Sequence, residues 1–260
     1  MIAFVREVAP SLMRCELTHL ARRVIDVPHA RDQHARYVAE LTALGCRIEW
    51  LPPLAECADG VFVEDTAVLL PEVAIITRPG VASRRREIES VEAALARHLK
   101  VRRIGAPARL EGGDVLRVGR TLYVGQAAGP RARTNAAGVA KLSELLQPFG
   151  YAVRPVAMRG CLHLKSACSF ISPGTLLVNP VWVEAAALAP GAVITVDPQE
   201  PYGANTLTVG ELTLVSAAYP RTQERLNAAG IATRALDVSE LHKAEGALSC
   251  MSLLLEGQKG

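Results

Sequence analysis

Aromatic residues make up only 4% of this 260-residue chain. Proteins that read nucleic acid stack bases on such rings and carry a strong basic bias. Here the formal net charge is +3, and the one basic run is Arg84-Arg85-Arg86. Nucleic acid is therefore not an expected partner. No stretch approaches the roughly 18 apolar residues that a membrane-spanning helix needs, so no membrane partner is expected either. The opening run "MIAFV" is broken by Arg6 and Glu7 before it reaches the length of a signal-peptide core. Six cysteines (Cys15, Cys46, Cys57, Cys161, Cys168 and Cys250) show no CxxC pair and no tight metal-ligand spacing. Without a secretory signal, these thiols are expected to stay reduced. The expectation is a soluble, cytoplasmic protein.

Apolar residues are abundant. Half of the chain is hydrophobic, which is ample for a full core in one large domain or two small ones. A small polar residue followed by a β-rich apolar run recurs along the chain. The occurrences are "VEDTAVLL", "GGDVLRV", "LKSACSFI", "GANTLTV" and "ALSCMSLLL". Aligning Asp65, Asp114, Ser166, Asn205 and Ser249 gives separations of 49, 52, 39 and 44 residues. A short turn and a second apolar run follow most of them, as in "TLYVGQA" and "LTLVSAAY", and the short gaps predict hairpins.

Helical patterns come next. Ile88, Val91, Leu95 and Leu99 share one face, with Ser83 as the expected N-cap. Val139, Leu142, Leu145, Leu146 and Phe149 do the same before Gly150, a stop signal repeated at Gly230. A third strand follows in "VRRI", "AVRPV" and "ATRALDV". The unit is β-β-α-β. The fifth copy starts at "ALSCMSLLL" and lacks its remaining parts, which lie at the other end: "MIAFVREV", a helix over "DQHARYVAELTALG" with Val38, Leu41 and Leu44 inward, and "RIEWLPP". Joining the two ends in one unit leaves no open edge around the ring. The expected fold is α/β: a five-bladed propeller of ββαβ units, one domain over 1–260, closed by N- and C-terminal segments sharing a blade.

In a radial repeat, equivalent positions converge on the axis. The heads of the expected first strands carry Glu64-Asp65, Glu111 and Asp114, His163, Asn205 and Cys250. Polar groups there are costly to bury unless paired. A thiol, an imidazole and carboxylates in one place are the parts of a nucleophilic site. Cys161 and Cys168 read as core residues. His19, His29, His34, His98 and His242 read as structural or solvated, and Asp114 as equally suited to a turn after Gly112-Gly113.

"FVEDTAV", "ITRPGVASRR", "LEGGDVL", "ARTNAAG", "LHLKSACS", "YGAN", "YPRT" and "GALSCMSL" resemble, in order and spacing, the dimethylarginine dimethylaminohydrolases. The resemblance runs from "LTHL" to "SCMSLL". That family has the five-bladed propeller of the guanidino-group-modifying (pentein) superfamily. It hydrolyses Nω-methylated arginines to citrulline and a methylamine. The resemblance implies Cys250 as nucleophile, His163 as general acid and base, and Glu111 as the acid that orients it, where many relatives carry Asp. It further implies Asp65 as the grip on the substrate guanidinium, with Glu64 and Asp59 as further acids around it. Arg84 and Arg133 would hold the α-carboxylate, Leu17 would cover the pocket, and the backbone at Ala244 would meet the amino end. No metal or organic cofactor is required by this chemistry. The implied partner is a small methylated arginine; a homodimer and a monomer both stay open.

Arginine deiminases share the fold and the Cys–His pair but typically carry an acid two residues after the histidine. Lys165 stands there in this chain. A methylated nitrogen cannot satisfy an acceptor that demands an N–H, so losing that acid favours methylarginine over arginine. Another member of the superfamily is a non-catalytic ribosome anti-association factor. Such a protein would need neither Cys250, His163 and Glu111 together nor the arginine pair.

Overall fold

The computed structural model describes residues 1–129, 131–171 and 174–256; the last four residues of the expected domain lie outside them. Strand β1 (Ile2–Val5), helix α1 (Val27–Ala43) and strand β2 (Arg47–Trp50) come first. The hairpin of β3 (Ala67–Leu69) and β4 (Val73–Ile76) is followed by α2 (Ile88–Leu95) and β5 (Lys100–Arg103). The same order recurs in β6 (Val115–Val118), β7 (Thr121–Ala127), α3 (Ala136–Leu146) and β8 (Ala152–Met158). A one-turn helix, α4 (Leu164–Ala167), then leads into β9 (Cys168–Ile171), β10 (Thr175–Val178) and β11 (Ala192–Thr195), with a 3-10 turn at Ala185–Leu188 before the third strand. Strands β12 (Leu207–Val209) and β13 (Leu212–Ser216), helix α5 (Pro220–Ala228) and strand β14 (Thr233–Leu236) form the next unit. Short α6 (Ser239–His242) and β15 (Leu253–Leu255) come last.

These strands form five three-stranded sheets. In four of them the first strand runs antiparallel to the second and the third runs parallel to it. The fifth sheet has the same pattern but draws on both ends of the chain. Its order is β15-β1-β2, with Ile2 opposite Leu255 and Arg47.

Five buried apolar clusters lie between successive sheets. One joins the β3–β5 and β6–β8 sheets through Val68, Ile75, Val115 and Leu122. Another joins the β6–β8 and β9–β11 sheets through Leu116, Tyr123, Cys168 and Leu176. Ile171, Leu177 and Val215 bridge the following pair. Val209 and Leu214 meet Ala3 and Val5 in the next cluster. Phe4 and Leu253 meet Ala67 and Ile76 in the one that returns to the start. Each sheet therefore buries both faces against neighbours, and the ring closes as a five-bladed α/β propeller. Cys161 and Cys168 lie in a core cluster, as expected.

The helix signals hold in part. Asn135 caps α3, accepting from Gly138 N at 2.8 Å, and Gly150 ends the turn after it at φ +72°. Gly230 ends α5 at φ +80°. Helix α1 begins earlier than expected, with Asp26 as its cap and a proline in its first turn. Ser83 is not an N-cap. Residues Ala82–Glu87 form a 3-10 stretch, and the Ser83 hydroxyl donates to Glu16 Oε1 at 2.7 Å. The buried Arg84–Glu87 pair draws this stretch inward and delays α2 until Ile88.

The expected first strands are also shorter than the apolar runs suggest. Val63–Thr66, Gly112–Asp114, Leu164–Ala167 and Ser249–Met251 each form one helical turn ahead of the strand. No described helix is long and apolar enough to cross a membrane.

Candidate active site

The helical turns set the site. A strand would send alternate side chains to opposite faces. A turn of helix at the head of four of the first strands instead gathers neighbouring polar residues toward the ring centre. Glu64 and Asp65 lie in one such turn, and Cys250 in another, its N–H donating to Ala247 O at 3.2 Å. Glu111 and His163 stand at the N-cap positions of two more. Gly112 lets the turns approach: a Cβ there would come 2.0 Å from Glu64 O.

His163 Nε2 donates to Glu111 Oε2 at 2.7 Å, and its Nδ1 lies 3.7 Å from Asp65 Oδ1. The second Glu111 oxygen accepts from Gly80 N at 2.9 Å and lies 3.7 Å from Arg133 Nη1. Asp65 accepts from Arg84 Nη1 at 2.6 Å and from Gly113 N at 3.1 Å. The side chains of His163, Glu111, Asp65, Arg84 and Arg133 are all buried. Burial alone would lower the His163 pKa, but Asp65, the Glu111 bond and Asp114 outweigh it and raise the ring to about 9. The ring is an imidazolium at neutral pH. Burial would likewise raise Asp65, yet His163 and Arg84 hold it down to about 2. Glu111 is also lowered, burial being outweighed by its bond to His163. Burial, then Glu64 and Asp65, push the Cys250 thiol far above its ordinary range. The resting pair is thus a neutral thiol beside an imidazolium.

Cys250, His163, Asp59, Asp65, Arg84, Arg133 and Ala244 line one cleft with about 300 Å³ of empty space. Glu111 stands behind His163. Glu64 lies in a neighbouring cleft, where it accepts from Lys165 Nζ at 2.6 Å and from Ser249 Oγ at 2.8 Å. Asn205 supports this corner by donating to Ser249 Oγ and Lys165 O, both at 2.9 Å. Leu17 lines a separate, more open cleft with Arg133 and Gly80, and not the cleft of Cys250 and His163. Asp59, raised to about 6 chiefly by burial, accepts from Glu16 N at 3.1 Å.

Arg84 is the surprise among the expected residues. Besides Asp65 it donates to Glu87 at 2.9 Å and to Phe62 O at 3.0 Å. Its guanidinium braces Asp65 from behind as well as lining the cleft. Glu87 was missed by sequence reasoning, although its position three residues after Arg84 was a signal. Asp114 accepts from Thr134 Oγ1 at 2.6 Å and from Leu164 N at 3.1 Å, so it ties the His163 turn to the Arg133 segment. Asp65, Glu111 and His163 offer ligand atoms within 4.8 Å of one another, a spacing a metal could use. Here those atoms are engaged in an ion cluster with Arg84 and Arg133.

No family model matches the chain. The N(G),N(G)-dimethylarginine dimethylaminohydrolase of Streptomyces coelicolor is 37% identical over 254 residues, which is 97% of this chain and 96% of that one. The corresponding enzyme of Pseudomonas aeruginosa, solved as a cysteine-to-serine mutant with citrulline, superposes with a TM-score of 0.89 at 34% identity. The match covers 96% of this chain and 97% of the other. A histidine-to-glycine variant of a dimethylarginine dimethylaminohydrolase, solved as an adduct with S-methyl-L-thiocitrulline, also matches at TM-score 0.89 and 34% identity, over 96% of this chain and 98% of the other. With identity at this level across almost the full length of both chains, this protein belongs to the dimethylarginine dimethylaminohydrolase family.

Proposed function

We propose that the whole chain is one catalytic unit that hydrolyses Nω-methylated arginines to citrulline and a methylamine or dimethylamine. The observation that carries this reading is the single cleft shared by Cys250, His163 and Asp65, with Glu111 bonded behind the imidazole. A guanidinium is a planar delocalised cation and a poor electrophile. Asp65 orients it, and the added positive charge lowers the cost of ionising the Cys250 thiol, whose proton leaves to solvent.

The thiolate then adds to the guanidinium carbon. His163, protonated at rest, passes a proton from Nδ1 to the methylated nitrogen, and the C–N bond breaks with release of the neutral amine. The carbon stays bonded to sulfur as an S-alkylthiouronium. His163, now neutral, takes a proton from water, and the hydroxide adds to the same carbon. The C–S bond breaks, the added hydroxyl gives its proton to solvent as the citrulline carbonyl forms, the thiolate takes a proton back from solvent, and citrulline leaves. Glu111 keeps the ring oriented and favours its charged form throughout. Arg133 is the binding group for the α-carboxylate, with Arg84, whose nitrogens already donate to Asp65, Glu87 and backbone carbonyls, adding its charge from the cleft wall; Asp59 with the Ala244 backbone serves the α-ammonium.

Arginine itself is the second reading. The bonds of Glu64 to Lys165 and Ser249 speak for methylarginine, because they satisfy an acid that could otherwise demand an unsubstituted N–H. A cytoplasmic setting accompanies this proposal, since a catalytic thiol and five further free cysteines need reducing conditions. A citrulline assay with asymmetric dimethylarginine, monomethylarginine and arginine side by side tests it. Turnover of the methylated substrates is expected, with a loss of roughly 10³-fold or more in Cys250→Ser. Equal or faster turnover of arginine would overturn the substrate assignment.

A further inference from the structure

Glu245 follows Ala244 in the cleft wall and was not picked out by the sequence. Its φ is +58°, in the left-handed region that side-chain-bearing residues seldom adopt. That backbone turns its carboxylate toward the segment around Leu17. Glu245 Oε1 accepts from Thr18 N at 3.0 Å and from His19 N and Leu20 N at 2.5 Å each; Oε2 lies 3.0 Å from Thr18 N. Three successive backbone N–H groups around one carboxylate form an anion-binding nest, with charge-assisted bonds.

The segment has other ties, and they differ in kind. Arg133 Nη2 donates to Thr18 Oγ1 at 2.9 Å, and Asp59 accepts from Glu16 N. Both partners belong to the substrate-binding set of the proposed reaction. A substrate carboxylate would compete for Arg133, and a substrate ammonium for Asp59. Substrate binding leaves in place the Glu245 nest and the single bond from the Ser83 hydroxyl to Glu16 Oε1; of the two, only Glu245 holds the backbone of Thr18, His19 and Leu20.

We propose that Glu245 is a positioning residue that latches residues 16–20 over the cleft, so that Arg133 and Asp59 can change partners without releasing the cover. The substrate part of this argument rests on the methylarginine reading; the latch itself does not. Substrate exchanges two weak holds on the segment for bonds to itself, while the nest keeps Leu17 beside Arg133.

Hydrogen–deuterium exchange of the substrate-free protein tests the latch directly. In Glu245→Gln and Glu245→Gly, exchange at Thr18, His19 and Leu20 should rise at least about tenfold, as loss of a charge-assisted bond implies. The glycine variant accepts the left-handed backbone and keeps the wall intact. Glu245→Asp should restore part of the protection. KM for methylarginine should rise more than kcat falls, and iodoacetamide should alkylate Cys250 faster. Unchanged exchange at the three amides in both variants would overturn the latch. So would faster exchange spread evenly over the chain. An enzyme that failed to turn over methylarginine but showed the local exchange change would lose the function reading and keep the latch.

Discussion

At the level of single residues, the site is an ion cluster before it is a catalyst. His163 titrates near 9 in the fold, above its ordinary 6.5. The folded chain therefore holds an extra proton between those values, so this group's stabilisation is complete below pH 6.5 and is lost as pH rises through about 9. Glu111→Gln should lower the ring pKa, readable in the NMR titration of the imidazole. It should also shrink the fall in urea-unfolding free energy between pH 6.5 and 9, and reduce kcat roughly 10²-fold. An unchanged ring titration would show that Glu111 does not set the charge of His163. Cys250, His163, Asp65 and Glu111 could be grouped from sequence because they recur in register at the heads of apolar runs, whereas Asp59, Arg84, Arg133, Leu17 and Ala244 came only with the family resemblance. Glu245 was not, because its role depends on one backbone angle and on N–H groups more than 200 residues away in sequence. The brace of Arg84 behind Asp65 was hidden for a similar reason: a basic run shows charge and not direction.

At the level of elements, the one-turn helices ahead of the strands do most of the positioning. Their apolar residues continue the β pattern of the strands that follow, so periodicity merged turn and strand into one longer strand. The turn beginning at Gly112 shows how tightly the pieces pack. A methyl group there would meet Glu64 O at 2.0 Å and Ala67 O at 2.8 Å, both backbone atoms that cannot swing aside. Gly112→Ala should destabilise the protein by ~1–3 kcal/mol, as overpacking does. Turnover should fall with it, because the displaced turn carries both Glu64 and Asp65. Thermal unfolding and the citrulline assay on one preparation check this; wild-type values in both would mean that the turns are free to separate. Helix α3 was read well, since its apolar spacing and the stop at Gly150 act locally; its cap, Asn135, was not picked out. The stretch before α2 was misread because buried Arg84, paired locally with Glu87 and across the fold with Asp65, overrode a capping signal.

At the level of the whole molecule, stability resides in five contacts between neighbouring blades rather than in chain order. The ring was legible because its repeats share spacing and its two ends complete one unit. Ile2 and Leu255 are directly paired, so a short glycine-serine linker can join Glu256 to Met1. A circular permutant made this way and opened between Gly210 and Glu211, an exposed hairpin tip, should melt cooperatively and keep its activity. Loss of the fold would mean that the shared blade is needed for more than closure. The shared blade also orders events during synthesis. At about 5–20 residues per second, the ribosome takes roughly 13–52 s to make 260 residues. For nearly all of that time β1 waits without its antiparallel neighbour. The nucleophile emerges only three residues ahead of the strand that completes the blade. Nucleophile and closing strand therefore arrive together, so the burial that holds the Cys250 thiol neutral is complete only once the ring has closed.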